Sequence, residues 1–177
     1  MSVRVRFAPS PTGHLHIGGL RTAIYNYLFA KQNKGTMILR IEDTDLERSK
    51  KEHTDQICES MKWLGLTWDE DLVYQSQRID GYKKAILALL ESGNAYRCFA
   101  TKDELEKIRE KTGSYSYSGI WRDRDQSDID KELEKGSPFT IRLETPEDGE
   151  TSFDDMIHGA ISVAHAEIDD FIIARSD

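Results

Sequence analysis

Residues able to do chemistry gather early in the chain. Residues 13–19 read Gly13-His14-Leu15-His16-Ile17-Gly18-Gly19. A glycine pair at a helix start lets a flat base or a phosphate approach the backbone closely. The helix start itself supplies free amide donors and a partial positive charge. Two imidazoles at the same place add donors aimed at phosphate oxygens. The combination suits a nucleotide site that needs no lysine. It is not a Walker loop, because no Gly-Lys-Ser/Thr follows, and its glycine spacing differs from the dinucleotide fingerprint. The same residues also fit a tight turn in which His14 and His16 are surface side chains.

A second group lies at Arg40-Ile41-Glu42-Asp43-Thr44-Asp45, with Arg6 and Ser10 upstream. A guanidinium beside a carboxylate can grip a zwitterion, the arginine taking the acid group bidentately and the glutamate taking the ammonium. The alternative is an Arg6–Glu42 ion pair without a ligand, with Thr44 or Asp45 capping a helix.

These groups need elements to hold them. Val3 to Phe7 alternates like a strand, and Pro9-Ser10-Pro11-Thr12-Gly13 reads as a loop. Ile17, Leu20, Ile24, Tyr27 and Leu28 then recur at helical spacing, and Gly35 follows as the stop. Met37 to Ile41 reads as a strand. Glu47 to Leu64 reads as a helix with Ile57, Met61 and Leu64 on one face and Gly65 as its end. Arg78 to Glu91 is a further helix ended by Gly93, and Tyr96 to Phe99 a short strand. This alternation predicts an α/β fold with a parallel sheet, and ligands of such sheets sit beyond the carboxyl ends of the strands. Beyond Ala100, Lys102 to Lys111 and Arg122 to Lys135 read as charged helices with a Gly/Ser/Tyr loop between them. Phe139 to Leu143, Ile161 to Ala164 and Phe171 to Ala174 read as strands. A boundary is placed near residue 100.

The 177 residues are 38% hydrophobic and 32% charged, enough for a core and without an apolar run long enough to span a membrane. The first residues lack a signal-peptide core. Two cysteines, Cys58 and Cys98, build no disulfide framework, so a reducing cytoplasm is expected. Net charge is -8, yet residues 1–41 hold six basic side chains and no acid, leaving -14 for the rest. An acid-free segment in an acidic chain suggests a local anion site.

The runs Arg6-Phe7-Ala8-Pro9-Ser10-Pro11-Thr12-Gly13-His14-Leu15-His16-Ile17-Gly18-Gly19-Leu20-Arg21-Thr22-Ala23 and Leu39-Arg40-Ile41-Glu42-Asp43-Thr44-Asp45 closely resemble glutamyl-tRNA synthetases, in the class I aminoacyl-tRNA synthetase family. Trp63-Leu64-Gly65-Leu66, Tyr74-Gln75-Ser76-Gln77-Arg78 and Asp169 to Asp177 fit the same family. The resemblance implies that His16-Ile17-Gly18-Gly19 is the "HIGH" signature, with Gly19 at the final histidine's place. It implies that His16, with Gly18 and Gly19, is catalytic and binds ATP, alongside Pro9, Thr12 and His14. It assigns Arg6, Ser10 and Glu42 to glutamate, and Asp45 and Arg48 to the tRNA acceptor end. The implied substrates are L-glutamate, ATP with Mg2+, and tRNA(Glu). The implied reaction forms glutamyl-adenylate and then charges the tRNA, catalysed by positioning and charge stabilisation.

The resemblance also divides the chain into the first half of a Rossmann-like catalytic fold (1–100), an inserted mixed α+β acceptor-binding domain (101–169) and a return toward the catalytic sheet (170–177). Full-length relatives are expected to be monomers without a membrane partner. Many relatives carry zinc in a Cys-x-Cys … Tyr-x-x-x-Cys pattern. Here those positions read Cys98, Ala100, Tyr117 and Trp121, so no zinc is expected. The family's "KMSKS" loop and anticodon-binding helices have no counterpart, so the chain is expected to be an N-terminal fragment, inactive alone. Competing readings are a short paralogue that transfers glutamate to a modified base in tRNA, a cytidylyltransferase or pantoate-activating ligase, and a non-catalytic acceptor-binding fragment.

Overall fold

The computed structural model describes residues 2–113, 117 and 119–176. The chain divides into two compact units, 1–82 and 83–177, the division falling within a helix and ahead of the boundary placed near residue 100.

The first unit contains β1 (Arg4–Phe7), α1 (Ile17–Gln32), β2 (Thr36–Ile41), α2 (Lys51–Trp63), β3 (Val73–Tyr74) and the start of α3 (Ile79–Glu91). Its strands form a parallel sheet in the order β1-β2-β3. Register sets Arg6 beside Ile38 and Arg40 beside Val73. One face buries Phe7, Met37 and Leu39 with Ala23 and Ala30 of α1 and Met61 of α2, joined by Leu66. Because strand side chains alternate, Arg4, Arg6, Ile38 and Arg40 stand on the other face.

Helix α1 turns a different stripe to the core from the one expected. Ile17 is 80% exposed and Leu28 59%. The inward residues are Leu20, Ala23, Tyr27 and Ala30. Two alanines at the contact let the helix backbone lie close to the sheet, and small side chains carry no apolar signal that periodicity would detect. The end of α1 also differs. Lys34, not Gly35, takes the left-handed conformation, at φ 51°. The bonds from Lys34 N–H to Lys31 O and from Gly35 N–H to Ala30 O make a Schellman closure. Gly35 is needed for a separate reason. A Cβ there would lie 2.4 Å from the Val3 carbonyl oxygen, which is the acceptor of the Thr36 N–H as β2 begins.

Helix α2 starts at Lys51 rather than Glu47, because Leu46 to Arg48 form a turn. It buries Thr54, Ile57 and Met61, while Leu64 is left partly exposed past its end. Gly65 closes it at φ 72°, as expected.

The second unit holds β4 (Ala95–Cys98), α4 (Lys102–Thr112), α5 (Gln126–Glu134), β5 (Thr140–Leu143), β6 (Glu150–Asp155), β7 (Gly159–Ala164) and β8 (Ile172–Ala174). Strand β4, read from the sequence as continuing the parallel pattern, pairs antiparallel with β5 in a sheet ordered β4-β5-β8. Asp170 ties this sheet together. It is 6% exposed and accepts from the Tyr96 hydroxyl at 2.6 Å, the Thr145 N–H at 2.9 Å and Arg122 at 3.3 Å. Strands β6 and β7 form a separate antiparallel pair. Part of the expected Thr112–Trp121 loop lies outside the described residues.

Candidate functional site

The loop after β1 runs into α1 along a cleft of about 490 Å³, lined by Pro9, Ser10, Thr12, His14, His16 and Gly19 among others. His16 is the N-cap of α1, with extended backbone. Its ring does the capping, as Nδ1 accepts the Gly18 N–H at 3.1 Å. An accepting Nδ1 carries no proton, so the ring's proton sits on Nε2, which is left as a donor. A Cβ on Gly18 would lie 2.9 Å from the His16 Cε1 and 3.1 Å from Nδ1. The capping ring therefore requires a glycine two residues on. Gly19 is crowded by Leu15, whose Cδ1 would lie 3.0 Å from an added Cβ.

Helix α2 steadies this loop, by residues the sequence did not single out. The Gln56 side-chain oxygen accepts the Leu15 N–H at 2.9 Å, and its amide donates to Ser60 Oγ at 3.0 Å, which fixes the amide's direction. His53 Nδ1 lies 3.0 Å from the Pro11 carbonyl. The same carbonyl accepts the Lys50 N–H. The His53 ring meets His14 edge-on, with centroids 5.2 Å apart. A polar residue on an amphipathic helix reads as solvent-facing until the loop it meets is known.

The carboxylates after β2 have different partners from those expected. Glu42 pairs with Arg40, at 3.7 Å, and not with Arg6. The Glu42 N–H donates to the Pro9 carbonyl, which joins the two loops. Asp45 closes the Leu46–Arg48 turn by accepting the Arg48 N–H at 3.0 Å, and also pairs with the Arg48 guanidinium at 2.6 Å. Those bonds, the N–H first, hold its carboxyl below the usual range. Asp43 accepts from the Ser76 N–H at 2.9 Å and hydroxyl at 2.6 Å. Burial pushes its pKa up, but these bonds outweigh burial and leave it lowered. No sequence signal linked residues 43 and 76.

Ser10 and His16 thus share one cleft. Arg6 lines another cavity, with Arg40, and Glu42 is not among the residues lining the cleft. In the second unit, Cys98 Sγ sits 3.2 Å from the Tyr117 hydroxyl, which also accepts the Trp121 N–H at 3.2 Å. Three of the four positions of the zinc pattern are therefore neighbours through hydrogen bonds. Burial, then the bond to Cys98, raises the Tyr117 pKa.

Comparisons with known proteins agree with this architecture. The glutamate–tRNA ligase of Coprothermobacter proteolyticus is 52% identical over 180 residues, covering 99% of this chain and 38% of that protein. The glutamate–tRNA ligase of Aquifex aeolicus is 49% identical over 179 residues, again covering 99% and 38%. The chain thus spans under two-fifths of the length of these relatives. The crystal structure of the Elizabethkingia anophelis glutamate–tRNA synthetase superposes with a TM-score of 0.89 at 38% identity, over 100% of this chain and 40% of that one. The glutamate–tRNA ligase of Elizabethkingia meningosepticum, solved in complex with its amino acid, superposes with a TM-score of 0.88 at 38% identity, over 100% and 39%. A profile described as "tRNA synthetases class I (E and Q), catalytic domain" matches residues 2–177, and the chain belongs to that family.

Proposed function

We propose that the protein carrying this chain activates L-glutamate with ATP, as the Mg2+ complex, and transfers the glutamyl group to the 3′ end of tRNA(Glu). The observation that carries this reading is the ring-capped start of α1, facing a cleft beside Ser10. Family membership and relatives that are glutamate–tRNA ligases support it.

In the first step a carboxylate oxygen of glutamate attacks the α-phosphorus and pyrophosphate leaves. In the second, a hydroxyl of the terminal ribose attacks the acyl carbon and AMP leaves. This chain's residues act by holding and by stabilising charge. His16 presents Nε2–H to phosphate oxygens as a neutral donor, and the first amides of α1 add their partial positive charge. Pro9, Thr12 and His14 shape the ATP side of the cleft. Gly18 and Gly19 keep the helix start bare. Arg6 takes the substrate's side-chain carboxylate, Ser10 adds a hydroxyl, and Glu42 takes the ammonium. Asp45 and Arg48 face the tRNA acceptor end. Residues 1–100 supply half of the catalytic fold, 101–169 an acceptor-binding insert and 170–177 the return. The enzyme works as a monomer in the cytoplasm.

The test is a chimera in which this chain replaces the matching N-terminal part of the Coprothermobacter ligase. It should charge tRNA with labelled glutamate and not with glutamine. Substituting His16→Ala should depress kcat more than it raises KM for glutamate. Glutamate that ends up on an anticodon base, or charging with glutamine instead, would overturn the reading.

A further inference from the structure

We propose that His53, in the first turn of α2, is a positioning residue for His14, and that it sets the affinity of the cleft for ATP without touching the nucleotide. This role rests on the assignment of His14 to the ATP side of the cleft. Helix α2 grips the loop on either side of His14. On one side, buried Pro11 offers its carbonyl oxygen to two donors, the Lys50 N–H at 3.1 Å and the His53 ring at 3.0 Å. On the other, the Leu15 N–H donates to Gln56 at 2.9 Å. His53 and Gln56 are one helical turn apart, so they rise from the same side of α2. Thr12, Gly13 and His14 lie between the two grips.

His53 does more than hold Pro11. A carbonyl oxygen only accepts, so His53 Nδ1 carries a proton, and the bond fixes the direction of the ring. That ring meets the His14 ring edge-on, at an interplanar angle of 70° and a centroid distance of 5.2 Å. Edge-to-face contact is an arrangement that flat aromatic rings favour. His14 is exposed, and among the described residues its ring makes no hydrogen bond. An exposed ring of this kind samples several rotamers and loses that freedom when a ligand engages it. Leaning on a fixed neighbour, His14 meets the ligand with part of that freedom already removed. His53 is half-buried and is not among the residues lining the cleft, so it acts through His14 and not on the ligand itself.

Two substitutions separate the two contacts of His53. His53→Asn keeps a side-chain N–H within reach of Pro11 but removes the ring. His53→Phe keeps a flat ring but removes the donor, while the Lys50 N–H still holds the Pro11 carbonyl. In the chain of 177 residues with 13C,15N-labelled histidine, followed by NMR, His53→Asn should move the His14 ring signals. His53→Phe should leave them closer to wild type. In the Coprothermobacter chimera, His53→Asn should raise KM for ATP by about threefold or more and leave kcat within about twofold. His53→Phe should raise it less. The cycle with His14→Ala supplies a readout that a purely structural role would not move. Once the His14 ring is gone, His53→Asn should raise KM for ATP no further. Equal increases in both backgrounds, a fall in kcat at unchanged KM, or His14 signals that stay in place in His53→Asn would overturn this role. A His14→Ala chimera with unchanged KM for ATP would take His14 away from ATP and this role with it, and would leave glutamate charging standing. If the unsubstituted chimera charges no tRNA, the activity reading falls, and the His14 ring signals alone decide for or against His53.

Discussion

His16 uses its two ring nitrogens for different purposes. Nδ1 closes the first turn of α1, and Nε2–H remains for a ligand. This gives Gly18 a role apart from any approach by a base, since a methyl group there would push the ring off its cap. Gly18→Ala should therefore leave stability nearly unchanged. Losing the cap costs about 1 kcal/mol, and alanine's helix propensity returns about the same. What should change is the ring itself. Long-range 1H–15N spectra should show a fixed Nε2–H tautomer for His16 in the wild type and a tautomer mixture in the variant. An unchanged tautomer in Gly18→Ala would dismiss the coupling. The sequence showed that histidine and glycine recur here, because both types are conspicuous. It could not show that one serves the other, since that depends on a ring rotamer.

The loop between β1 and α1 owes its shape to α2. Gln56→Leu would strand the Leu15 N–H, at about 1–3 kcal/mol for a buried donor and nearer the lower end for this half-buried one. Gln56→Glu keeps an acceptor oxygen and should retain most of the stability, with urea unfolding as the measurement. The end of α1 offers a contrast between adjacent residues. Lys34 sits in the left-handed region, which costs an L-residue roughly 1–2 kcal/mol. Lys34→Gly should stabilise by a similar or somewhat smaller amount. Gly35→Ala should destabilise, because its methyl would meet the Val3 carbonyl. Thermal unfolding of the two variants should shift in opposite directions. From the sequence, Gly35 looked like the helix terminator. Types alone could not separate a glycine required for φ from one required for space.

Across the whole chain, acid should act through carboxylates that folding holds below their ordinary range. Burial raises Asp43, but bonds from Ser76 more than offset it. The Met37 N–H and then, against some burial, Lys31 lower Asp69. A lowered folded pKa contributes stability that is complete above the unfolded value, about 4. That stability is lost as pH falls through the folded value. The melting temperature should be level from neutral pH to about 5 and then decline. The deficit of Asp43→Asn against wild type should narrow as acid neutralises Asp43. A gap constant from pH 7 to 3, by scanning calorimetry, would show that Asp43 is not responsible. The parallel sheet and the presence of both of its main helices were legible, as was the inward face of α2, with its buried Ile57 and Met61, but the core stripe of α1 was not, because Ala23 and Ala30 make the contact. β6 was not, because Glu150-Thr151-Ser152-Phe153-Asp154-Asp155 is a largely polar, exposed strand, and neither was the antiparallel pairing of β4, which depends on residues 42 to 48 positions away. Among the candidate site residues, Ser10 was read with Arg6 and Glu42 but lines a cleft with His16, and Glu42 pairs with Arg40, two residues before it. The position of β1 at the end of the sheet order has a consequence for how copies of this chain behave in concentrated solution. Antiparallel pairing of two such outer strands, centred on Val5, would bring Arg4 of one copy against Arg6 of the other, so like charge opposes the templating of aggregates along that edge.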